Sequence, residues 1–204
     1  MELNILSFSF FFLRLAPFII VCFFSLASIF NQDFKGLVYL VGLLLACFGT
    51  MMIGNVLPLP QFDDIDRPEI CNLISIGRMG NFSKLPLGQC IFGYTFCYLA
   101  WWIFSNHFEK QNIPTLVFFP LLILFDIIWN TTNTCYTFWQ SFAALFLGSC
   151  FGLLWAVIIQ STNSNSLKYF SGKRDDEVCS KPSKSTFKCD VYKNGQLISK
   201  NIGN

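Results

Sequence analysis

Residues 85–104, LPLGQCIFGYTFCYLAWWIF, decide how this chain is read. A proline turn carrying one polar amide, Gln89, runs straight into an apolar segment crowded with aromatic residues. Its length and lack of charge read as a membrane helix that starts at the water boundary.

The rest of the chain agrees with that reading. Hydrophobic residues make up 53% of the 204 positions, Phe alone occurs 25 times, and only 13% of residues are charged. That composition is too apolar for an ordinary soluble domain. Further runs long enough to cross a bilayer lie at roughly 5–30, 36–57, 113–129 and 138–160, with the opening stretch continuing as 88–105. The expected fold is therefore all-α: a polytopic membrane helix bundle with about five transmembrane helices. Its parts are an N-terminal transmembrane hairpin (1–57), a loop (58–87), a three-helix core (88–160) and a basic tail (161–204).

The first run contains Arg14 and Pro17. One long tilted helix is expected there, and an interfacial helix followed by a shorter span is the alternative. A cleaved signal peptide is not expected, because the run lacks a basic start and is longer than the usual apolar region.

Charge sets the orientation. The net charge of +2 points to neither nucleic acid nor an acidic substrate, but eight of the 14 Lys and Arg residues follow position 160. Basic flanks stay on the cytoplasmic side, so the tail is expected there together with the SNHFEKQN loop. The loops at 58–87 and 130–137 then share the non-cytoplasmic face. Within the tail, KCDVYKNGQLIS alternates around Asn-Gly and predicts a small β-hairpin. Cys179 and Cys189 flank that region and are expected to be reduced in the cytoplasm, or to pair if the topology is inverted.

Metal and cofactor chemistry find no support. Most of the other cysteines fall inside spans, where a thiol acts as a small apolar group, and no CxxC pair or Cys/His cluster occurs. No metal or cofactor is expected. The single histidine, His107, reads as a surface residue beside Glu109 and Lys110.

The two non-cytoplasmic loops carry Arg67, Arg78 and Lys84 against Asp63, Asp64, Asp66 and Glu69. Helix N-termini on that face supply backbone N–H groups and partial positive charge, which suits an anion. The pattern of these residues resembles the type 2 phosphatidic acid phosphatases, a superfamily that includes lipid phosphate and dolichyl-diphosphate phosphatases. Arg67-Pro68 matches the end of the first motif of that family, with Pro60 where a lysine is expected. Pro86 and Gly88 match its Pro-Ser-Gly-His motif, with Leu87 in place of Ser and Gln89 in place of His. In the third motif Asn133-Thr134 replaces Ser-Arg, Gln140 the nucleophilic His and Ala144 the Asp, while Gly148 and Gly152 match a glycine pair that continues the helix.

The resemblance covers roughly residues 55–160 and implies a phosphatase-like core without its chemistry. A glutamine amide neither accepts a proton near neutral pH nor attacks phosphorus, so Gln89 and Gln140 do not replace histidines. The implied function is a pseudoenzyme that binds an anionic lipid headgroup, a phosphate or diphosphate, through Arg67, Arg78, Lys84, Gln89 and Gln140. The bland reading gives these charges no role beyond balancing the nearby acids at the surface.

Asp126, near the end of the fourth run, is costly in lipid and is expected to line the pocket or to reach the interface. Asn81 and Asn130 head glycosylation sequons on the non-cytoplasmic face. Two other classes stay open: a structural membrane protein, of the endoplasmic reticulum or of a viral internal membrane, and a divergent phosphatase using Cys90 or Cys135. Membrane lipids are the expected partners and nucleic acid is not. The sequence names no protein partner.

Overall fold

The computed structural model describes residues 5–32, 34–57, 71, 83–162, 191–193 and 196–199, and for residues 5–11, 13, 14 and the last two stretches it describes the backbone alone. The chain divides into two compact units, Met1–Ser171 and Gly172–Asn204. The first holds five helices: α1 (Ile5–Phe30), α2 (Lys35–Val56), α3 (Leu87–Ser105), α4 (Ile113–Thr132) and α5 (Phe138–Ser161). The second contains β1 (Val191–Lys193) and β2 (Gln196–Ser199), paired antiparallel with Lys193 opposite Gln196. Residues 194 and 195, the Asn-Gly of the expected hairpin, lie outside the described residues.

The all-α bundle agrees with the sequence reading. Among the described residues, α2, α3, α4 and α5 are long and apolar enough to cross a membrane, which fits a multi-pass membrane protein. The first run forms one continuous helix of 26 residues with Pro17 inside it, rather than two separate pieces. Its described apolar part is Leu15–Phe30.

The bundle is apolar outside and partly polar inside. Leu44, Phe125, Leu154 and Ile128 are exposed, whereas Thr50, Gln89, Thr95, Asn130, Gln140 and Ser141 are buried. Lipid tails solvate an exposed Leu well and a bare amide badly, so this distribution is the stable one in a bilayer.

The closest helix pair is α3 with α5. Buried small residues recur every fourth position on α5: Ala144, Gly148, Gly152 and Ala156. A Cβ at Gly152 would come within 2.5 Å of the Tyr94 carbonyl oxygen, and one at Gly148 would collide with that of Cys90. Gly93 of α3 returns the favour against Leu145. Residue numbers rise together along this seam, so the two helices run parallel, as they must if α4 carries the chain back between them. Without a hydrophobic force between helices in lipid, such close approach is what gives the pair its van der Waals stabilisation.

Hydrogen bonds tie α2 to that seam. The Tyr94 hydroxyl donates to the Tyr39 carbonyl (3.0 Å), the Tyr39 and Thr95 hydroxyls share a hydrogen bond (2.6 Å), and Trp155 Nε1 donates to the Val38 carbonyl (3.0 Å). Gly42 makes room for both the Tyr94 hydroxyl and the Trp155 ring. The Tyr39 ring also stacks on Phe24 at 4.0 Å, which brings α1 into the same core.

Candidate functional site

The opening turn of α3 has Pro86 as its N-cap residue, in an extended conformation that suits a proline at a helix start. Gly88 sits in the first helical turn, with only the Pro17 ring at 3.4 Å from where a Cβ would stand. Its backbone is not left-handed, so no turn geometry demands glycine here.

Gln89 is fully buried and points at α4. Its Nε2 donates to Asp126 Oδ2 at 2.7 Å and, at 3.4 Å, to the Ile123 carbonyl. Asn130, one turn beyond Asp126, donates to the same carboxylate oxygen at 2.9 Å and to the Asp126 carbonyl at 2.8 Å. Two amides therefore hold one carboxylate inside the bundle. Hydrogen bonds to a charged acceptor are the strong kind, contributing about 1.5–3 kcal/mol each in proteins generally. Gln89 has spent both N–H groups on α4 and offers an incoming phosphate neither. Asn130 is fully buried with its amide nitrogen engaged, so the sequon asparagine serves the inside of the helix end.

Gln140 is also buried, but its local task is different. Thr137 caps α5: its hydroxyl accepts from the Gln140 N–H (3.3 Å), while Gln140 Oε1 accepts from the Thr137 N–H (2.9 Å) and hydroxyl (3.0 Å). This reciprocal capping box satisfies backbone donors that a helix start leaves open. Asn133 and Thr134 are spent on ending α4. Asn133 is the C-cap residue with its amide on the Trp129 carbonyl (2.8 Å), and Thr134 takes a left-handed φ of 53°. Gly148 belongs to the α3–α5 seam.

Lys84 is half-buried just before α3. Arg67, Pro68, Arg78 and Asn81 lie outside the described residues, as does the side chain of Arg14.

A disulfide between Cys71 and Cys135 joins the long loop to the α4–α5 turn, with the two Cα atoms 5.5 Å apart. It corrects one expectation: Cys135, which the sequence places in the 130–137 loop, has no free thiol to act as a nucleophile. The physical reason is position: it follows the end of α4, facing a loop cysteine from the same side of the bundle. Cys90 keeps its thiol but is fully buried, in contact with the Thr50 hydroxyl at 3.2 Å. His107 is 88% exposed after the far end of α3, 3.8 Å from Glu109, where it serves neither cysteine. Among the described residues no group of His, Cys, Asp and Glu is arranged to hold a metal ion.

Sequence reasoning missed the Thr137 cap, although Thr137-x-x-Gln140 is a capping-box pattern that could have revealed it. It also missed Asn130 as a partner of Asp126, although a spacing of one helical turn puts the two side chains together. The disulfide carried no sequence signal, because nine cysteines admit many pairings. Compared with protein-family models, curated proteins and solved structures, the chain matches none of them.

Proposed function

We propose that this chain is a non-catalytic membrane protein built on a lipid-phosphate-phosphatase-like helix arrangement and serving a structural or assembly role in its membrane. The observation that carries this reading is the Gln89–Asp126 hydrogen bond. At the position where the resemblance expects a proton-donating histidine, the chain has an amide that braces α3 against α4. Gln140, at the position of the nucleophile, braces the start of α5. The parallel pairing of α3 and α5 is in keeping with the resemblance, since it brings the second and third motif positions to one end of the bundle.

That end is the non-cytoplasmic one on this reading. The Cys71–Cys135 disulfide belongs in an oxidising compartment, and the basic residues after α5 belong in the cytoplasm. The endoplasmic reticulum and a viral internal membrane both satisfy this. A second reading, binding of an anionic lipid headgroup, draws on Lys84 beside the N-terminus of α3, together with Arg67 and Arg78.

A phosphatase assay tests the first reading. Purified protein in lipid nanodiscs, given phosphatidic acid and isoprenyl diphosphates, is expected to release no phosphate above protein-free discs. Turnover that disappears in Gln89→Ala or Gln140→Ala would make the chain an enzyme and end the proposal.

A further inference from the structure

Two free thiols meet where α2 packs on α3. Cys90 is fully buried one turn into α3, with the Thr50 hydroxyl 3.2 Å from its sulfur. Cys47 stands one turn before Thr50 on α2, and residues at that spacing share a helix face. It packs against the buried cluster that contains Cys90, and the two thiols are in hydrogen-bonding contact. Neither belongs to a disulfide. Cys97, also on α3, turns instead to the Ser149 hydroxyl.

The two sulfurs are not equally reachable. Cys90 has no exposed surface, whereas Cys47 is half-buried beside Leu44 and Phe48, both of which are exposed on the outside of the bundle. In a bilayer that outside is lipid, so the oxidant that reaches Cys47 is a lipid-soluble one. Apolar surroundings also make a thiol slow to ionise, which keeps the pair reduced in the absence of such an oxidant.

We infer that Cys47 and Cys90 are a sensing and resolving thiol pair for lipid hydroperoxides, closing a second disulfide that ties α2 to α3. In the first step the Cys47 sulfur takes the outer oxygen of the hydroperoxide. The O–O bond breaks, an S–O bond forms, and the thiol proton leaves with the lipid alkoxide as an alcohol. In the second step the Cys90 sulfur attacks that of Cys47, the S–O bond breaks, and hydroxide departs with the Cys90 proton as water. Condensation of a sulfenic acid with a neighbouring thiol is an ordinary route to a disulfide. The thiol pair supplies both electrons, so one hydroperoxide is reduced for each bridge formed. The consequence is mechanical: the Cys71–Cys135 disulfide ties the long loop to the α4–α5 turn, whereas a Cys47–Cys90 bridge fixes α2 itself to α3.

The test uses the full chain in nanodiscs, with free thiols blocked and mapped by peptide mass after exposure to a peroxide. Cumene hydroperoxide partitions into lipid and hydrogen peroxide stays largely in water. Cumene hydroperoxide is expected to yield a reducible Cys47–Cys90 crosslinked peptide about tenfold faster than hydrogen peroxide at equal concentration. The crosslinked protein is expected to unfold at a higher midpoint than the reduced one. Cys90→Ser is expected to strand Cys47 as a sulfinic acid, and Cys47→Ser to leave Cys90 a thiol.

Where a variant does not fold, the map of the parent chain decides. Added oxygen on Cys47 with Cys90 still a thiol overturns the proposal, as do two thiols that stay unmodified. A bridge already complete before any oxidant is added overturns it too, since the pair would then be structural. Equal rates with the two peroxides overturn the assignment to a lipid oxidant.

Discussion

Gly148→Ala tests the seam that organises the bundle. The added Cβ would lie 2.9 Å from both the carbonyl carbon and the Cα of Cys90, and closer still to its oxygen. These are backbone atoms, so no rotamer change moves them away. To restore ordinary contact with that oxygen the two helices must part by roughly one ångström, enough to forfeit about half of each nearby dispersion contact. Overpacking of this kind costs about 1–3 kcal/mol, and replacing a helical glycine by alanine returns about 1 kcal/mol at most. Because the clash is with backbone, the upper part of that range applies, and the net expectation is a loss of about 1–2 kcal/mol.

Gly88→Ala is the internal control. Its Cβ would meet only the Pro17 ring at 3.4 Å, an ordinary distance, so this variant is expected to be neutral or slightly stabilising. Reversible unfolding in mixed micelles, followed by tryptophan fluorescence, measures both. Equal stability of Gly148→Ala and the parent would refute the close-packed seam. A damaging Gly88→Ala would mean that the glycine serves the phosphate-loop shape that the structure gives it no reason to keep.

Other expectations follow from single contacts. Cys71→Ser and Cys135→Ser should lower the unfolding midpoint equally, and the double variant should be no worse. Closing a loop across a sequence separation of 64 residues bounds that loss at about 4 kcal/mol. Maleimide labelling of Cys135 in unreduced protein would refute the bridge. Tyr39→Phe removes the buried hydrogen bond to Thr95 and should cost about 0.6 kcal/mol, the average for interhelical bonds in a membrane. A loss above about 2 kcal/mol would show that the hydroxyl does more than this pair. Thr134→Gly relieves a β-branched residue at φ 53° and should stabilise by about 1 kcal/mol in the same unfolding assay. Destabilisation would show that its hydroxyl bond to the Asn133 carbonyl outweighs the strain.

The helices were legible because lipid enforces a simple rule: unsatisfied backbone cannot face a bilayer, so spans must be long apolar runs. The expected ends of α2 to α5 fall within three residues of those observed. The site was legible only in part, because the same residue type serves opposite purposes. Gln140 looked like a replaced nucleophile when aligned with a catalytic motif, and like a capping partner when read against Thr137. Local pattern and remote resemblance competed there, and the hydrogen bonds follow the local pattern. Gln89 shows a different limit. No spacing in the sequence says that a residue at the start of α3 meets Asp126, because that contact depends on how α4 leans on α3. The intramembrane charge itself was a sound signal, since a carboxylate in a span must find partners.

The central claim is that Gln89 holds α3 to α4, and a double-mutant cycle measures that directly. Gln89→Met, Asp126→Leu and the double variant are compared with the parent by unfolding in micelles. The account predicts a coupling energy of about 1–2 kcal/mol, above the interhelical average because the acceptor is a carboxylate. Additive losses, with coupling below about 0.5 kcal/mol, would contradict it and leave Gln89 without the structural role assigned to it.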